Sequence, residues 1–241
     1  MNLIRAKDYE QLSRIAAGII AAQVNCKPNA LLGFVSGNSP LGTYQHLIAL
    51  CQAGDVDFSR VCTVNLDEYL GLGADHPMSF TRFMRENLFD HINIVLANTY
   101  SLNGMNPNPD SECRRYDDMI RGFGGIDLQV LGLGLDGRIG FNEPAPHFGA
   151  GASCVELNEI TRKRLADRFG GIENVPTQAL TMGVYDIMTA HSVVMVVSGA
   201  EKADILRAAL TGPVTPQVPA SVLQYHPHCT VIADAAALAG L

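Results

Sequence analysis

Residues Ala30–Ala53 read ALLGFVSGNSPLGTYQHLIALCQA. Ala30–Val35 is a short apolar run of the kind that forms a buried strand. The small residues Ser36-Gly37-Asn38-Ser39-Pro40 turn the chain, and a helix starts at Pro40 or Leu41 and continues to about Ala53. A strand, a tight turn and a helix in immediate succession make half of a βαβ unit. The same alternation recurs almost to the end of the chain. Apolar strands are expected at Val61–Leu66, Asp127–Leu131, Val193–Val197 and Cys229–Ala233, and helices at Asp8–Val24, Ser79–Leu88, Pro109–Gly122 and Glu201–Leu210.

Strands with no polar alternation are buried on both faces, so a mainly parallel sheet with helices on both faces is predicted. This is an α/β, three-layer, Rossmann-like architecture, expected as one domain over residues 1–241. The length suffices for a sizeable core, and no Ser/Pro/Gly linker, repeat or low-complexity tract divides it. In such sheets ligands gather at the C-terminal ends of the strands, which singles out three loops.

Composition narrows the partners. The 17 basic residues are outnumbered by 24 acidic ones, and the densest basic spot is the short Thr161–Arg164 run, the solvated start of a helix. That balance argues against nucleic acid and against an anionic membrane, but leaves room for a small anion held by two or three placed cations. Six scattered cysteines without a CxxC pair predict reduced, mostly buried thiols and no metal site. The first residues do not make a signal peptide, and Ile15–Ala22 is too short to span a bilayer. A cytoplasmic protein is expected.

The first loop, Ser36–Tyr44, can cradle a phosphate with backbone N–H groups at a helix start, helped by the hydroxyls of Ser36, Ser39 and Thr43 and by a close approach at Gly37. It equally suits a plain helix cap, and it is neither a Walker loop nor a dinucleotide fingerprint. The second loop places Asp67 and Glu68 after an apolar strand. Neighbours on extended chain face opposite ways, so one carboxylate should enter the mouth, where burial would raise its pKa into the range of a proton acceptor. A cap or surface turn is the alternative. The third, GLGLDGRIGFNEP at Gly132–Pro144, gathers Asp136, Arg138, Asn142 and Glu143 among flexible glycines.

In this order and spacing, SGNSPLGTY, NLDEYLGL with the following HPMSFTRFMRENLFDHINI, GLGLDGRIGFNEP, VPTQALTMGVYDIM and VVSGAEKADILRAAL resemble the glucosamine-6-phosphate deaminase/isomerase family over nearly the whole chain. The resemblance implies an enzyme that isomerises and deaminates a hexosamine 6-phosphate, of glucosamine or galactosamine, to a ketohexose 6-phosphate and ammonia. Asp67 would carry the proton from C2 to C1, with Asp136 and Glu143 assisting ring opening. Ser36, Gly37, Asn38, Ser39, Lys202 and Arg168, the better match in the Arg162–Arg168 region, would hold the phosphate. No cofactor or metal is implied. The short segment after the last strand implies an enzyme without the family's allosteric control. The oligomeric state is left open between a homo-oligomer and a monomer.

One departure bears on the chemistry. The family places a ring-opening histidine where this chain has Arg138, and arginine cannot give up a proton near neutrality. Losing such a group costs about 10²–10⁴-fold. Ring opening is then slow or left to solution, or the substrate differs, or His147 takes over. Two other readings stay open: a 6-phosphogluconolactonase, disfavoured by Asn142-Glu143-Pro144 and the intact Asp67-Glu68 block, and a sugar-phosphate-binding regulator, disfavoured by three acids in one mouth.

Overall fold

The computed structural model describes residues 1–241. Ten strands run in chain order: β1 (Asn2–Ala6), β2 (Leu31–Phe34), β3 (Cys62–Asn65), β4 (Asp67–Tyr69), β5 (Thr99–Tyr100), β6 (Leu128–Gly132), β7 (Ser153–Glu156), β8 (Gln178–Thr181), β9 (Ser192–Val197) and β10 (Cys229–Asp234). The helices are α1 (Tyr9–Cys26), α2 (Leu41–Ala53), α3 (Phe80–Asn87), α4 (Pro109–Gly122), α5 (Glu159–Phe169), α6 (Val184–Thr189) and α7 (Ala203–Thr211). Seven strands form one sheet in the order β1-β10-β9-β6-β2-β3-β5, and every pairing in it is parallel. Parallel neighbours need crossover connections, which the helices supply. No helix is long and apolar enough to cross a membrane.

Local chemistry sets the helix ends. Asp8 caps α1 by accepting from Gln11 N at 2.8 Å. Asn108 caps α4 with Pro109 behind it, and Asn158 caps α5 through Thr161 N. All four residues of β2 are buried, and Leu31, Leu32 and Phe34 join Val193–Val197 of β9 in a single apolar core. Sequence reading missed β1, which is a partly exposed edge strand too short to show a pattern. Its expectation of mostly buried thiols is also corrected. Only Cys113 and Cys229 are buried, because the other four lie at the ends or outer faces of elements.

The strand order reverses at β2 and β6. From β2 the chain moves outward through β3 to β5, then returns to β6 on the other side and moves outward through β9 to β10. The connections beyond the C-terminal ends of these two strands therefore diverge and leave a crevice. A second, three-stranded antiparallel sheet, β4-β8-β7, stands beside that crevice. Thus Asp67 and Glu68 are not the tail of β3, as the apolar run predicts, but open a new strand paired to β8, with Asp67 opposite Thr181.

Away from the crevice, Asp186 of α6 is buried beside Asp117 of α4, which accepts a bond from Ala152 N at 3.0 Å. Burial first, then the neighbouring carboxylate, hold Asp186 above the ordinary carboxylate range. An acid with a raised folded-state pKa stabilises the fold at low pH and loses that contribution as pH rises. Asp186→Asn is therefore expected to raise the melting temperature at pH 8 and to leave it nearly unchanged at pH 4. A lower melting temperature at pH 8 would show that the pair is held together by something other than a shared proton.

Candidate active site

A cleft of about 860 Å³ occupies the crevice, lined by the loops after β2, β6 and β9, by Asp67 and Tyr69 of β4, and by one face of α5. Its floor at one end is the segment Ser36–Ser39. None of the four backbone N–H groups of Ser36, Gly37, Asn38 and Ser39 donates to another group of the protein. Gly37 has φ +125°, a conformation that other residues rarely adopt. The loop is held from behind: Tyr44 Oη donates to Val35 O at 2.6 Å, and Tyr9 Oη to Asn38 O at 3.0 Å. Tyr9 Oη also accepts from Gly42 N at 2.8 Å. The result is a preformed anion cradle at the N-terminus of α2. Thr43, expected to offer its hydroxyl, is instead fully buried and does not line the cleft, because the turn of α2 rotates it inward.

Cations gather around this cradle. Arg168 donates to Asn38 Oδ1 at 3.2 Å, and Lys202 Nζ to Leu133 O at 2.6 Å. Neither forms an ion pair within the protein, nor does Arg164, which also lines the cleft. Lys202 sits in a 3₁₀ turn, Ala200–Lys202, just before α7 rather than inside its first turn. Burial lowers its pKa, and the nearby charges of Arg138 and Arg164 push it the same way. A bound anion would reverse that cost. Arg164 falls within the Arg162–Arg168 region expected to hold the phosphate, and it joins Arg168 there because residues 164 and 168 lie four apart on one helix and so share a face. Arg162 is turned away, its Nη2 donating to Ile172 O at 3.0 Å. Tyr9 had no sequence signal at all.

Asp67, 7% exposed, also lines the cleft. Burial raises its pKa to about 8, helped by the charge of Glu68 and opposed by that of Arg138. Glu68 points the other way into the protein. There it accepts from Tyr69 N, Phe80 N, Ser79 Oγ, Thr81 N and Thr81 Oγ1 at 2.7–3.1 Å, closing the start of α3. The adjacent acids thus divide between the cleft and the scaffold. Tyr69 packs against Phe80, Phe141 and Phe169 to make one apolar wall of the cleft.

The third loop is only partly as the sequence suggests. Arg138 lines the cleft, with Nη1 bonded to both oxygens of Asp136 at 3.0 and 3.2 Å. Asp136 and Glu143 do not line it. Glu143 is drawn to α5, accepting from Thr161 Oγ1 and Asn158 Nδ2, each at 2.6 Å. The expected three acids in one mouth therefore reduce to Asp67 alone, because the other two have nearer partners. His147 is exposed and is not among the residues that line the cleft. His226 is buried against Ala190 O and belongs to the scaffold.

A crevice that holds both an anion cradle and a buried carboxylate has close counterparts. The family described as glucosamine-6-phosphate isomerases/6-phosphogluconolactonase matches residues 7–144. The chain is 50% identical to a glucosamine-6-phosphate deaminase of Lachnoclostridium phytofermentans over 96% of this chain and 98% of that one. It is 46% identical to glucosamine-6-phosphate deaminase 2 of Bacillus subtilis, over 97% and 95%. A solved monomeric glucosamine-6-phosphate deaminase superposes with TM-score 0.97 at 39% identity, covering all of both chains. A 6-phosphogluconolactonase from Leishmania guyanensis shares the fold, with TM-score 0.77 at 18% identity over 100% of this chain and 98% of that one. With the matched segment spanning the cradle, Asp67 and the Asp136–Glu143 loop, the chain belongs to the glucosamine-6-phosphate isomerase/6-phosphogluconolactonase family.

Proposed function

We propose that the protein is a hexosamine 6-phosphate deaminase, acting on glucosamine 6-phosphate and yielding a ketohexose 6-phosphate and ammonia. The observation that carries this reading is Asp67, a buried carboxylate with its pKa near 8 in the same cleft as four unpaired backbone N–H groups. That combination suits a sugar whose phosphate is gripped at C6 while a base works at C1 and C2. Ser36, Gly37, Asn38 and Ser39, with Arg168 and Lys202, hold the phosphate; Arg164 adds a third cation to the same wall.

The chemistry follows from the open-chain aldose. Asp67 takes the proton from C2, the electron pair moves into the C1–C2 bond, and the carbonyl pair moves onto O1, which is then protonated from water. The enolamine nitrogen donates its lone pair, C1 receives the proton back from Asp67, and a C2 iminium forms. Water adds to C2 and ammonia leaves, giving the ketose. One water is consumed, one ammonia is released, and Asp67 ends as it began. Arg138 cannot serve as the acid–base group for ring opening, so the linear sugar is the form that reacts.

Incubation with glucosamine 6-phosphate and galactosamine 6-phosphate, with ammonia and ketose 6-phosphate followed together, tests this. Equal amounts of both products from glucosamine 6-phosphate are expected. No ammonia from either epimer would refute it. Because the base form of Asp67 is required and its pKa lies near 8, kcat/KM should rise with pH through about 8 and level off above it. A flat profile from pH 6 to 9 would remove Asp67 from the proton-transfer step.

A further inference from the structure

Arg138 is seated with care. The chain turns back at Gly134–Arg138, with Gly134 N donating to Arg138 O at 2.9 Å and Gly137 at φ +85°. A Cβ on Gly134 would lie 2.5 Å from Arg138 Cγ and 2.7 Å from Asp136 Oδ1. Only a glycine there lets the arginine and its carboxylate lie flat over the turn. The side chain is 21% exposed, and Asp136 engages Nη1 alone. Nε and Nη2 donate to nothing in the protein, while the residue lines the cleft. A half-buried guanidinium with one edge fixed and the other open is the arrangement that grips a planar oxyanion by two parallel bonds.

We propose that Arg138 adds to the cleft that holds Asp67 a second oxyanion seat, selective for linear 2-amino sugar 6-phosphates that carry negative charge at C1. This rests on the hexosamine 6-phosphate reading of the cleft and adds a substrate form to it. During turnover the charge is the O1 oxyanion formed when Asp67 removes the C2 proton, before water protonates O1. A C1 carboxylate is its stable mimic. Arg138 lines the same cleft as Asp67, and its charge is felt at that carboxylate. It is also felt at Lys202, which lines the cleft as well. A guanidinium stabilises the intermediate without giving up a proton. Arg138 thus acts after ring opening, on the linear sugar.

Two ligands isolate the C1 group: 2-amino-2-deoxygluconate 6-phosphate, with a carboxylate, and 2-amino-2-deoxyglucitol 6-phosphate, with a CH₂OH, which are otherwise identical. Calorimetric titration of the intact protein should give about 10–100-fold tighter binding of the acid, the range of a charge-assisted pair. Arg138→Met should cut that preference below about threefold while still binding the alcohol, which shows that the variant is folded and its phosphate cradle works. Gly134→Ala, which keeps the guanidinium but displaces it, should lose the preference likewise. Equal binding of acid and alcohol by the unaltered protein, or a preference that survives in Arg138→Met, would overturn the C1 seat and leave the deaminase reading intact. Binding of neither ligand would overturn both.

Discussion

Asp67→Asn is expected to lower ammonia release from glucosamine 6-phosphate by about 10⁴-fold, the upper range for loss of a positioned general base, and at the same time to make the protein more heat-stable at high pH. Both effects have one origin. Asp67 is buried at the end of β4, and burial raises its pKa from 3.8 to about 8. In the unfolded chain the group ionises near its ordinary value. Between about pH 4 and pH 8 the folded state must therefore keep a proton that the unfolded state releases, and above pH 8 it must bury a charge. A raised pKa of this kind stabilises the fold only below the unfolded value, and the contribution is lost as pH rises through 8. Asparagine has the same shape and no charge to bury, so it should relieve on the order of a few kcal/mol at pH 9 and almost nothing at pH 4. Coupled ammonia detection measures the first effect, and thermal melts of both proteins at pH 4, 7 and 9 measure the second. A variant that kept more than a tenth of the activity would remove Asp67 from the chemistry. One that gained no stability at pH 9 would show that water reaches the carboxylate.

The contrast between Asp67 and its neighbours shows what a sequence reveals. The alternation of apolar strands with helices was plain because period and burial are written locally; Leu31–Phe34 and Val193–Val197 have no polar residue to confuse the pattern. The split between Asp67 and Glu68 was also legible, since extended chain turns neighbours to opposite faces. The strand that carries them was not. β4 has three residues and exists because β8, more than a hundred positions later, pairs with it. Pairing across such a distance leaves no local trace. For the same reason Glu143 looked like a member of the cleft. It stands five residues after Arg138, yet Asn158 and Thr161 of the α5 start claim it. Arg164 is ambiguous in the sequence. It belongs both to a basic run that reads as a solvated helix start and to the Arg162–Arg168 region expected to hold the phosphate, and its spacing from Arg168 puts both on the face of α5 that lines the cleft.

The carboxylate that does no chemistry should matter most to stability. Glu68→Ala is expected to destabilise the protein by about 3–5 kcal/mol, because four donors lose their only acceptor inside the fold, Thr81 N keeping Ser79 Oγ, and each unsatisfied group costs about 1–3 kcal/mol before water relaxes in. The donors are not equivalent. Phe80 N and Thr81 N are the first N–H groups of α3, so the carboxylate serves as a helix cap from outside the helix, seconded by Ser79 Oγ. Tyr69 N ties the same carboxylate to β4. Removing it should loosen the joint between α3 and the strand that carries Asp67, lowering the melting temperature by roughly 6–20 °C for a chain of this size. Glu68→Gln keeps one carbonyl acceptor but sets an amide against donors, so about half of the loss is expected. The Glu68 charge also helps hold the Asp67 pKa up. In both variants the rise of kcat/KM with pH should therefore begin lower, even as the fold weakens. Melting curves and pH–rate profiles on the same two variants separate these effects. If Glu68→Ala melted with the unaltered protein, the cap would be redundant. If the profile stayed in place while stability fell, the two carboxylates would be electrostatically independent despite being adjacent in the chain.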